Sequence, residues 1–565
     1  FWLKPIGHAP ASQRCLPMSG ASTYLVERRR GRGRCAVAGC DLDAGTTVFL
    51  EDAWSVALLK EEQGQRCDFS LQPAPKLLHC SATGLYFRSR EDQRAAWGEY
   101  YECERGAALD VAASTGKSSQ ARPPLTTAMR LAVRSLWRGL RQGRAPWSDL
   151  QSHWEDLDAE REEQLEACAA RCTDELRRGL RVVGGAQGFF ELGGIAQLLS
   201  AIDVNAMVVT DDEQRGIALG LFLQGTLFNH GEEPNCVQSF QGRRLMVRTL
   251  RPVAAGEELT IAYAELAEVS SVRRARLRAQ FFFDPLRGPL VASVAARDRA
   301  LSEVLERGAD GAWRPLVQGV VWSPEAGLHR STAPNSEPLG HEPGELVLAR
   351  RAQAEWAAAA KATKVGDALG AAHALRRAWD AASGEAFRLG EGHALRLAIA
   401  RDGMDAAIDA ERWAEAAAFA RAVCAANRRV YPARWPVVGL SLARLAKLEL
   451  YHGRVAAAVQ AGGEALRVLA WTYDDSSEVL CELRRIVAQA SAEVQAQPGA
   501  ARDRRSCTPV AAALQGVADM PRGTQLGRSQ GTLTGEAADA RRRVAVGPCS
   551  VMAAPGSVLD LLSLD

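Results

Sequence analysis

Residues 225–263 constrain the fold and the chemistry of this chain more than any other stretch. A tight loop is bracketed by Asn229-His230 and Pro234-Asn235. Residues 244–250, Arg-Leu-Met-Val-Arg-Thr-Leu, are typical of a strand, and a Gly-Glu-Glu turn leads into a short apolar strand, 259–263, that ends on a tyrosine. We predict a β-hairpin from these two strands, with the 229–235 loop beside it.

A second informative stretch lies about two hundred residues earlier. Gly31-Arg32-Gly33 precedes an apolar strand, and an Ala44-Gly45 turn leads into a second strand at 46–50. Glycine permits a close backbone approach to a ligand, and arginine can bind a carboxylate. The stretch therefore predicts a ligand-facing turn or, as the simpler alternative, a basic surface turn.

Composition excludes several classes of protein. With 565 residues the chain needs three or four domains, and its 47% hydrophobic and 24% charged residues are ordinary for globular proteins. The 69 basic and 67 acidic residues nearly balance, which argues against direct nucleic-acid binding. Thirteen cysteines without a CxxC pair indicate reduced thiols, and without an 18-residue apolar run we expect no membrane span. The chain begins at Phe1, without an initiator Met or a signal-peptide pattern, which is typical of a fragment or an incomplete gene model.

Taken together, these motifs resemble the SET domain of protein-lysine methyltransferases. Its signature is Asn-His-Ser-Cys-x-Pro-Asn followed by Gly-Glu-Glu-Leu and a strand tyrosine, here at Asn229–Asn235, Gly256–Leu259 and Tyr263. A SET domain that opens near residue 30 and resumes near residue 200 is similar to the SET-and-MYND (SMYD) family. The resemblance implies an α+β fold: a split SET-domain β-fold with a helical insert and a degenerate MYND-like module, followed by an all-α TPR-like helical-hairpin domain.

The resemblance also implies roles for particular residues. Tyr263 matches the catalytic tyrosine, and Phe281 and Phe283 match aromatics that line the lysine channel with it. The residues at positions that contact S-adenosylmethionine in the family are Arg30, Gly31, Arg32, Gly33, Asn205, Asn229, His230, Phe281 and Phe283. Phe281 stands where the family usually has Tyr, and His153 where it has a donor-binding Asn.

Methyl transfer to lysine needs in-line alignment and a neutral amine more than a strong acid or base. A dry channel lowers the pKa of lysine, and aromatic walls stabilise cations by roughly 0.5–2 kcal/mol per contact.

The zinc sites that the family carries are incomplete in this sequence. In the MYND-like module the second cysteine of each pair is Ser70 or Thr83, and the later ligand positions match Arg88, Asp92 and Tyr100. Cys67, Cys80 and Cys103 remain, too few for two tetrahedral sites, although one irregular site stays open. The post-SET site has lost all four ligands, with Glu232 at the loop position. We therefore expect no structural zinc.

The rest of the chain predicts helices: 126–141, 152–180 and an Ala-rich region from 345. Similar turns at Gly366, Glu411 and Gly453 recur every 42–45 residues, typical of helical-hairpin repeats that bind partner peptides. The predicted domains are an N-terminal extension (1–20), SET N-terminal part (21–65), MYND-like module (66–104), helical insert (105–200), SET core (201–266), post-SET segment and linker (267–345), helical domain (346–496) and disordered tail (497–565).

Three functions are compatible with this sequence. The first is an S-adenosylmethionine-dependent protein-lysine methyltransferase, cytoplasmic or nuclear, that acts on histone or other protein substrates. The second is a catalytically weak or inactive scaffold that keeps the SET and TPR-like folds for protein interaction. The third is a SET methyltransferase that acts on a metabolic or chloroplast protein.

Overall fold

The computed structural model describes residues 23–115, 124–183, 192–285, 291–316, 319–324, 327–330 and 343–496. The predicted N-terminal extension, the C-terminal tail and most of the linker before residue 343 lie outside the described residues. In the described part, no helix is both long and apolar enough to span a membrane. The α+β class with a C-terminal all-α domain is confirmed.

Small sheets built from distant segments form the β part. Its strands are β1 (Tyr24–Arg29), β2 (Gly33–Ala38), β3 (Thr47–Asp52), β4 (Ser55–Leu58), β5 (Leu78–His79), β6 (Tyr86–Phe87), β7 (Met207–Thr210), β8 (Gly216–Leu221), β9 (Asn229–His230), β10 (Cys236–Gln241), β11 (Arg244–Thr249) and β12 (Thr260–Ile261). Strands β1 and β2 form a hairpin, β3 joins β11 and β10, and β4 joins β8 and β7. Segments near residues 50 and 245 thus share one sheet, as a split fold requires.

The predicted hairpin between 244–250 and 259–263 is wrong. Strand β11 pairs antiparallel with β10 and with β3, whereas β12 pairs in parallel with β9, placing Thr260 beside Asn229 and Ile261 beside His230. Side-chain alternation identifies a strand but not its partner. The parallel pair brings the end of β12, and with it Tyr263, to the Asn229-His230 loop.

The described helices of the first half run from the predicted MYND-like module to the predicted post-SET segment. They are α1 (Arg90–Ala96), α2 (Glu102–Thr115), α3 (Thr127–Gln142), α4 (Ala159–Val183), α5 (Leu192–Asn205), α6 (Ser270–Phe281) and α7 (Ala292–Ser302). Helix α3 begins after Thr126, whose hydroxyl accepts from the amide of Met129, so the predicted 126–141 helix is confirmed. Helices α2 and α4 cross closely: a Cβ at Gly106 would lie 3.0 Å from the carbonyl oxygen of Gly179.

The predicted 152–180 helix begins too early. Helix α4 starts at Ala159, and residues 152–158 form a loop with a single 3₁₀ turn at Trp154–Asp156. His153 has a φ of 53°, in the left-handed region, which ends any continuous right-handed helix there. This loop approaches the candidate site.

Consecutive antiparallel helices build the C-terminal domain. They are α8 (Gly344–Lys364), α9 (Ala368–Ala381), α10 (Ala394–Asp409), α11 (Trp413–Val430), α12 (Pro436–Tyr451), α13 (Val455–Leu469) and α14 (Glu478–Ala496). The three repeated turns join α8 to α9, α10 to α11 and α12 to α13, and Gly366, Glu411 and Gly453 all have positive φ there. The predicted repeat is therefore a repeated left-handed turn between paired helices.

Short strands precede the helical domain: β13 (Val304–Arg307), β14 (Trp313–Pro315), β15 (Val320–Ser323) and β16 (Gly327–Arg330). A further strand, β17 (Phe387–Leu389), lies between α9 and α10 and pairs antiparallel with β13. The helical domain docks on the β part through polar contacts. The hydroxyl of Tyr431 donates to Glu265 Oε1 at 2.6 Å, and the side-chain amide of Gln214 donates to the Tyr473 hydroxyl at 2.8 Å. Arg434 donates to the carbonyl of Leu250 at 3.0 Å. The helical domain thus contacts the β part both before β12, at Gln214 and Leu250, and after it, at Glu265.

Candidate active site

Tyr263 lies at the centre of an aromatic pocket. Its hydroxyl donates to the backbone carbonyl of Phe228 at 2.8 Å. Its ring centroid is 5.0 Å from that of Phe281, 5.8 Å from His230 and 6.5 Å from Phe283. Burial raises the pKa of the Tyr263 hydroxyl well above its usual value. The hydroxyl is therefore protonated at neutral pH, and its oxygen can still accept a hydrogen bond.

His230 is buried beneath this pocket and fixes the start of the tyrosine. Its Nδ1 accepts a hydrogen bond from the backbone amide of Tyr263 at 3.1 Å. Burial lowers the pKa of His230, which keeps the ring neutral with its proton on Nε2. That Nε2 lies 3.6 Å from Glu232 Oε1, just beyond hydrogen-bond length. His230 therefore positions Tyr263 through the backbone.

Asn229 and Arg32 meet on a carboxylate from the Gly-Glu-Glu turn. The side-chain amide of Asn229 lies 3.0 Å from Glu258 Oε1, and Arg32 Nη2 lies 2.8 Å from the same oxygen. Arg32 also donates to the carbonyl of His230 at 3.1 Å. Although burial raises the pKa of Glu258, hydrogen bonds from Arg32 and Asn229 outweigh it and lower that pKa overall. This network joins the Asn229-His230 motif to the Gly-Glu-Glu turn that follows it in the chain.

The turn that carries Arg32 is open to a ligand. Gly31 and Gly33 have φ values of 73° and 70°, a conformation that glycine adopts without strain. A Cβ built on Gly33 would have nothing within 4 Å. Arg30 lies exposed on the same turn. The glycines of the predicted ligand-facing turn therefore sit at the edge formed by Asn229 and His230.

An aromatic lid, residues Phe281–Phe283, covers the pocket at the end of α6. Phe281 and Phe283 pack towards Tyr263, and Phe283 also lies 6.1 Å from His230. Phe282 turns the other way with a left-handed φ of 57° and stacks on His153, with ring centroids 5.0 Å apart and an interplanar angle of 17°. The lid is therefore held by the SET core on one side and by the insert loop on the other.

Asn205 lies at the end of α5, next to that same insert loop. Its side-chain amide donates to the carbonyls of Gln151 and Ala201, both at 2.8 Å. Ser200 donates to the carbonyl of Ser152 at 2.6 Å. In this structure Asn205 thus holds the loop that presents His153, rather than lying in the Arg32–Asn229–Glu258 cluster.

The first zinc position of the MYND-like module is filled by a hydrogen-bonded carboxylate. Asp92 Oδ2 accepts from the Cys67 thiol at 3.3 Å and from the Ser70 hydroxyl at 3.1 Å, and Arg88 Nε lies 3.3 Å away. All four residues stand at positions that the resemblance matches to metal ligands. A thiol that donates to a carboxylate and an arginine in the ligand set do not fit Zn²⁺.

Cys80 and Cys103 do not complete a metal site. The Cys80 sulfur accepts from the hydroxyl of Tyr101 at 3.1 Å, while Tyr100, the predicted ligand position, lies under Arg134 at 3.7 Å from ring centroid to guanidinium carbon. Cys103 is buried in a different hydrophobic cluster, with α3 and α4. Across the described ranges no group of three or more His, Cys, Asp or Glu side chains could hold a metal ion. The absence of zinc remains a prediction.

Sequence reasoning missed several residues of the site. Glu258 was part of a recognised motif but was not identified as the anchor of Asn229 and Arg32. Phe228 contributes only its backbone carbonyl, which no side-chain pattern reveals. Phe282 and the buried Arg273 lay in a stretch that was noted for other residues.

Comparison with known proteins identifies the β part. Residues 33–264 match the SET domain family model. Histone-lysine N-methyltransferase SMYD3 of Mus musculus is 28% identical over 269 residues, and that of Homo sapiens 28% over 270, each match covering 45% of this chain and 58% of the relative. N-lysine methyltransferase SMYD2-B of Danio rerio is 24% identical over 262 residues, covering 45% of this chain and 56% of its own. The chain thus spans a little over half the length of these relatives.

One solved structure resembles the chain only weakly. It is a crystal structure of nearly identical TPR-like repeats from a Podosopora anserina putative kinesin light chain, 17% identical, covering 36% of this chain and 95% of its own with a TM-score of 0.21. At that score the likeness says nothing about how these helices are arranged.

Proposed function

Because the chain belongs to the SMYD family of SET-domain proteins, we propose that it is an S-adenosylmethionine-dependent protein-lysine N-methyltransferase. The observation that carries the proposal is Tyr263: a protonated hydroxyl, anchored on the Phe228 carbonyl, inside a pocket walled by His230, Phe281 and Phe283. Lysine-containing proteins, histones among them, are the proposed substrates, and the cytoplasm or nucleus the proposed location.

The residues present fit the methyl donor. Gly31 and Gly33 give an open turn, Arg32 of that turn donates to the carbonyl of His230 and shares Glu258 with Asn229, and Phe281 and Phe283 lie against Tyr263 and His230. Bound S-adenosylmethionine would supply an electrophilic methyl group on a sulfonium. Arg30, Arg32 and Asn205 are further donor-site candidates from the family match, Asn205 acting through the insert loop.

On the acceptor side, the pocket orients a neutral lysine amine. The Tyr263 oxygen, which already donates its proton to Phe228, can accept an N–H of the amine. Desolvation by the three surrounding rings lowers the pKa of lysine and favours the neutral nucleophile. The aromatic walls also stabilise positive charge on the amine after transfer. Phe281 offers a ring but no hydroxyl, so Tyr263 alone supplies a phenolic oxygen to the amine among the lid and pocket residues.

A second candidate is a SET and TPR-like interaction scaffold with weak or no catalysis. The observation in its favour is that Asn229 and Arg32, two proposed donor-binding residues, are both bound to Glu258. If Asn229 and Arg32 bind Glu258 more strongly than they bind the methyl donor, the protein keeps its fold but does not catalyse methyl transfer. In either case we propose that the helical domain binds partner peptides along its paired helices.

Calorimetric titration with S-adenosylmethionine and a methyl-transfer assay on mixed histones and cell extract separate the two functions. We expect saturable donor binding, transfer by the wild type, and a fall in transfer of at least about tenfold in Tyr263→Phe with donor affinity preserved. Tyr451→Phe, an exposed tyrosine of the helical domain, is the matched control. Absence of donor binding would refute the enzyme proposal in favour of the scaffold.

A further inference from the structure

The SET loop and the lid helix are joined by a buried ion pair at the position where the family resemblance implies a zinc ligand. Glu232 occupies that loop position, and its Oε2 accepts from Arg273 Nε at 3.0 Å and also from Arg273 Nη2. Arg273 is completely buried on α6, and its remaining nitrogen donates to the carbonyl of Glu268. An arginine cannot ligate Zn²⁺, its guanidinium holds one oxygen of the Glu232 carboxylate, and among the described residues no group of three or more His, Cys, Asp or Glu side chains could hold a metal ion here, so this residue set does not fit the metal.

The same loop is bound to α7 by further polar contacts. Arg297, 7% exposed, donates to the backbone carbonyl of Glu232 at 3.1 Å, and the Ser293 hydroxyl donates to Glu233. Helices α6 and α7 are themselves joined because the amide and hydroxyl of Ser270 both donate to Asp298. The loop and two helices therefore form one cross-linked unit without a metal.

The lid extends directly from this unit. Helix α6 carries Arg273 in its first half and ends at Phe281, about two turns further on. Beyond the lid, Asp284 accepts from Arg274 at 2.9 and 2.7 Å, which folds the chain back on α6. A loop that moves relative to α6 would displace Phe281 and Phe283 from Tyr263 and His230.

We propose that Glu232 and Arg273 are positioning residues that replace a metal tie, holding the aromatic lid in register over the donor site and Tyr263. This inference rests on the proposed function for its catalytic meaning, but the tie itself is a property of the fold. If the ion pair holds the lid, affinity for the methyl donor depends on the ion pair and is independent of zinc and of chelators.

The test compares Glu232→Gln, the double variant Glu232→Gln/Arg273→Met, and Asp52→Asn as control. Asp52 forms an exposed ion pair with Arg244, so its variant loses a carboxylate charge that belongs to neither the lid nor the 229–235 loop. The double variant matters because removing Glu232 alone leaves Arg273 buried without its partner, which can unfold the protein. Removing both charges restores stability while leaving the lid untied.

The measurements are hydrogen–deuterium exchange of residues 229–235 and 277–285, calorimetric affinity for S-adenosylmethionine, and zinc content. We expect both Glu232 variants to exchange at least about tenfold faster in these segments and to bind the donor at least about tenfold more weakly. The double variant should melt within a few degrees of the wild type, and Asp52→Asn should change neither exchange nor affinity. Treatment of the wild type with a chelator should change neither the exchange of these segments nor the donor affinity.

Three results would overturn the inference: lid exchange in the double variant equal to the wild type, unchanged donor affinity in the double variant, or a stoichiometric zinc whose removal loosens the lid. Failure of the proposed function is a separate outcome. If the wild type binds no donor, the methyltransferase proposal fails, while the exchange of residues 277–285 still decides whether the ion pair holds the lid.

Discussion

Replacing Glu232 by glutamine should destabilise the fold by an amount that shrinks with acid. Burial alone would raise the pKa of Glu232, but the nearby His230 ring and the hydrogen-bonded Arg273 guanidinium outweigh it and lower the pKa to about 2, from 4.5. The unfolded state therefore binds the proton more readily than the folded state between pH 4.5 and pH 2. Stability from this group is complete above about pH 4.5 and is lost as pH falls towards about 2.

Lowering the pKa from 4.5 to about 2 corresponds to about 3 kcal/mol at neutral pH. Breaking a buried ion pair by removing one partner costs about 3–5 kcal/mol in other proteins, and the value for Glu232 agrees with the lower end of that range. The Glu232 carboxylate is 10% exposed and Arg273 is not exposed at all, so solvent screening reduces the value little.

Urea unfolding of wild type and Glu232→Gln at several pH values measures this contribution. We expect a gap of about 3 kcal/mol in the free energy of unfolding from pH 7 to pH 5, narrowing to about 2 kcal/mol near pH 3.5. The exposed Asp52→Asn control should lose about 1 kcal/mol or less. A gap below about 1 kcal/mol at pH 7, or one that widens in acid, would refute the reasoning.

Three further predictions concern the repeats, a buried histidine and the MYND-like module. Glu411→Gly should stabilise the helical domain by about 0.5–1 kcal/mol in urea unfolding, because Glu411 has a φ of 55°, whereas Gly366→Ala should destabilise it. Burial lowers the pKa of His393 to about 4, so the unfolded state binds the proton more tightly than the folded state. The free energy of unfolding should therefore fall by about 2 kcal/mol from pH 7 to pH 5, and His393→Asn should flatten that pH dependence. Asp92→Ala should destabilise the module by about 2 kcal/mol, seen as faster exchange at residues 66–104, whereas exposed Glu91→Ala should not.

The motif-bearing part of the site was predictable because its residues are close in sequence and chemically distinctive. Asn229, His230 and Tyr263 are brought together by the parallel pairing of β9 with β12, and His230 accepts directly from the amide of Tyr263. The strand partner could not be predicted, since the strand-like composition of residues 244–250 is compatible with any antiparallel neighbour. The start of α4 was misplaced because the left-handed conformation of His153 depends on contacts with Phe282 and Asp156 that sequence does not show.

The ion pair of Glu232 and Arg273 shows a different limit of sequence reasoning. At the level of the sequence, Glu232 and the missing cysteines are losses, and an arginine within a basic helix is typical of a solvated face. The two positions are 41 apart and become a pair only when α6 packs against the 229–235 loop. The replacement of a zinc-ligand cysteine by Glu232 can therefore be interpreted only together with Arg273, the residue that the fold places beside it.

Carboxylate–arginine contacts occupy two of the places where the resemblance implies metal, and the two contacts differ in what they can hold. At Asp92 the arginine is half exposed, so the thiol and hydroxyl donors supply most of the cohesion of a peripheral module. At Glu232 the arginine is fully buried. Glu232 lies two residues after His230, in the loop that positions Tyr263 through its backbone amide. A buried pair is rigid when intact and costly when broken, so it can hold a lid as a metal would, provided both partners remain. Loss of either partner should therefore affect the donor site before it affects the rest of the fold.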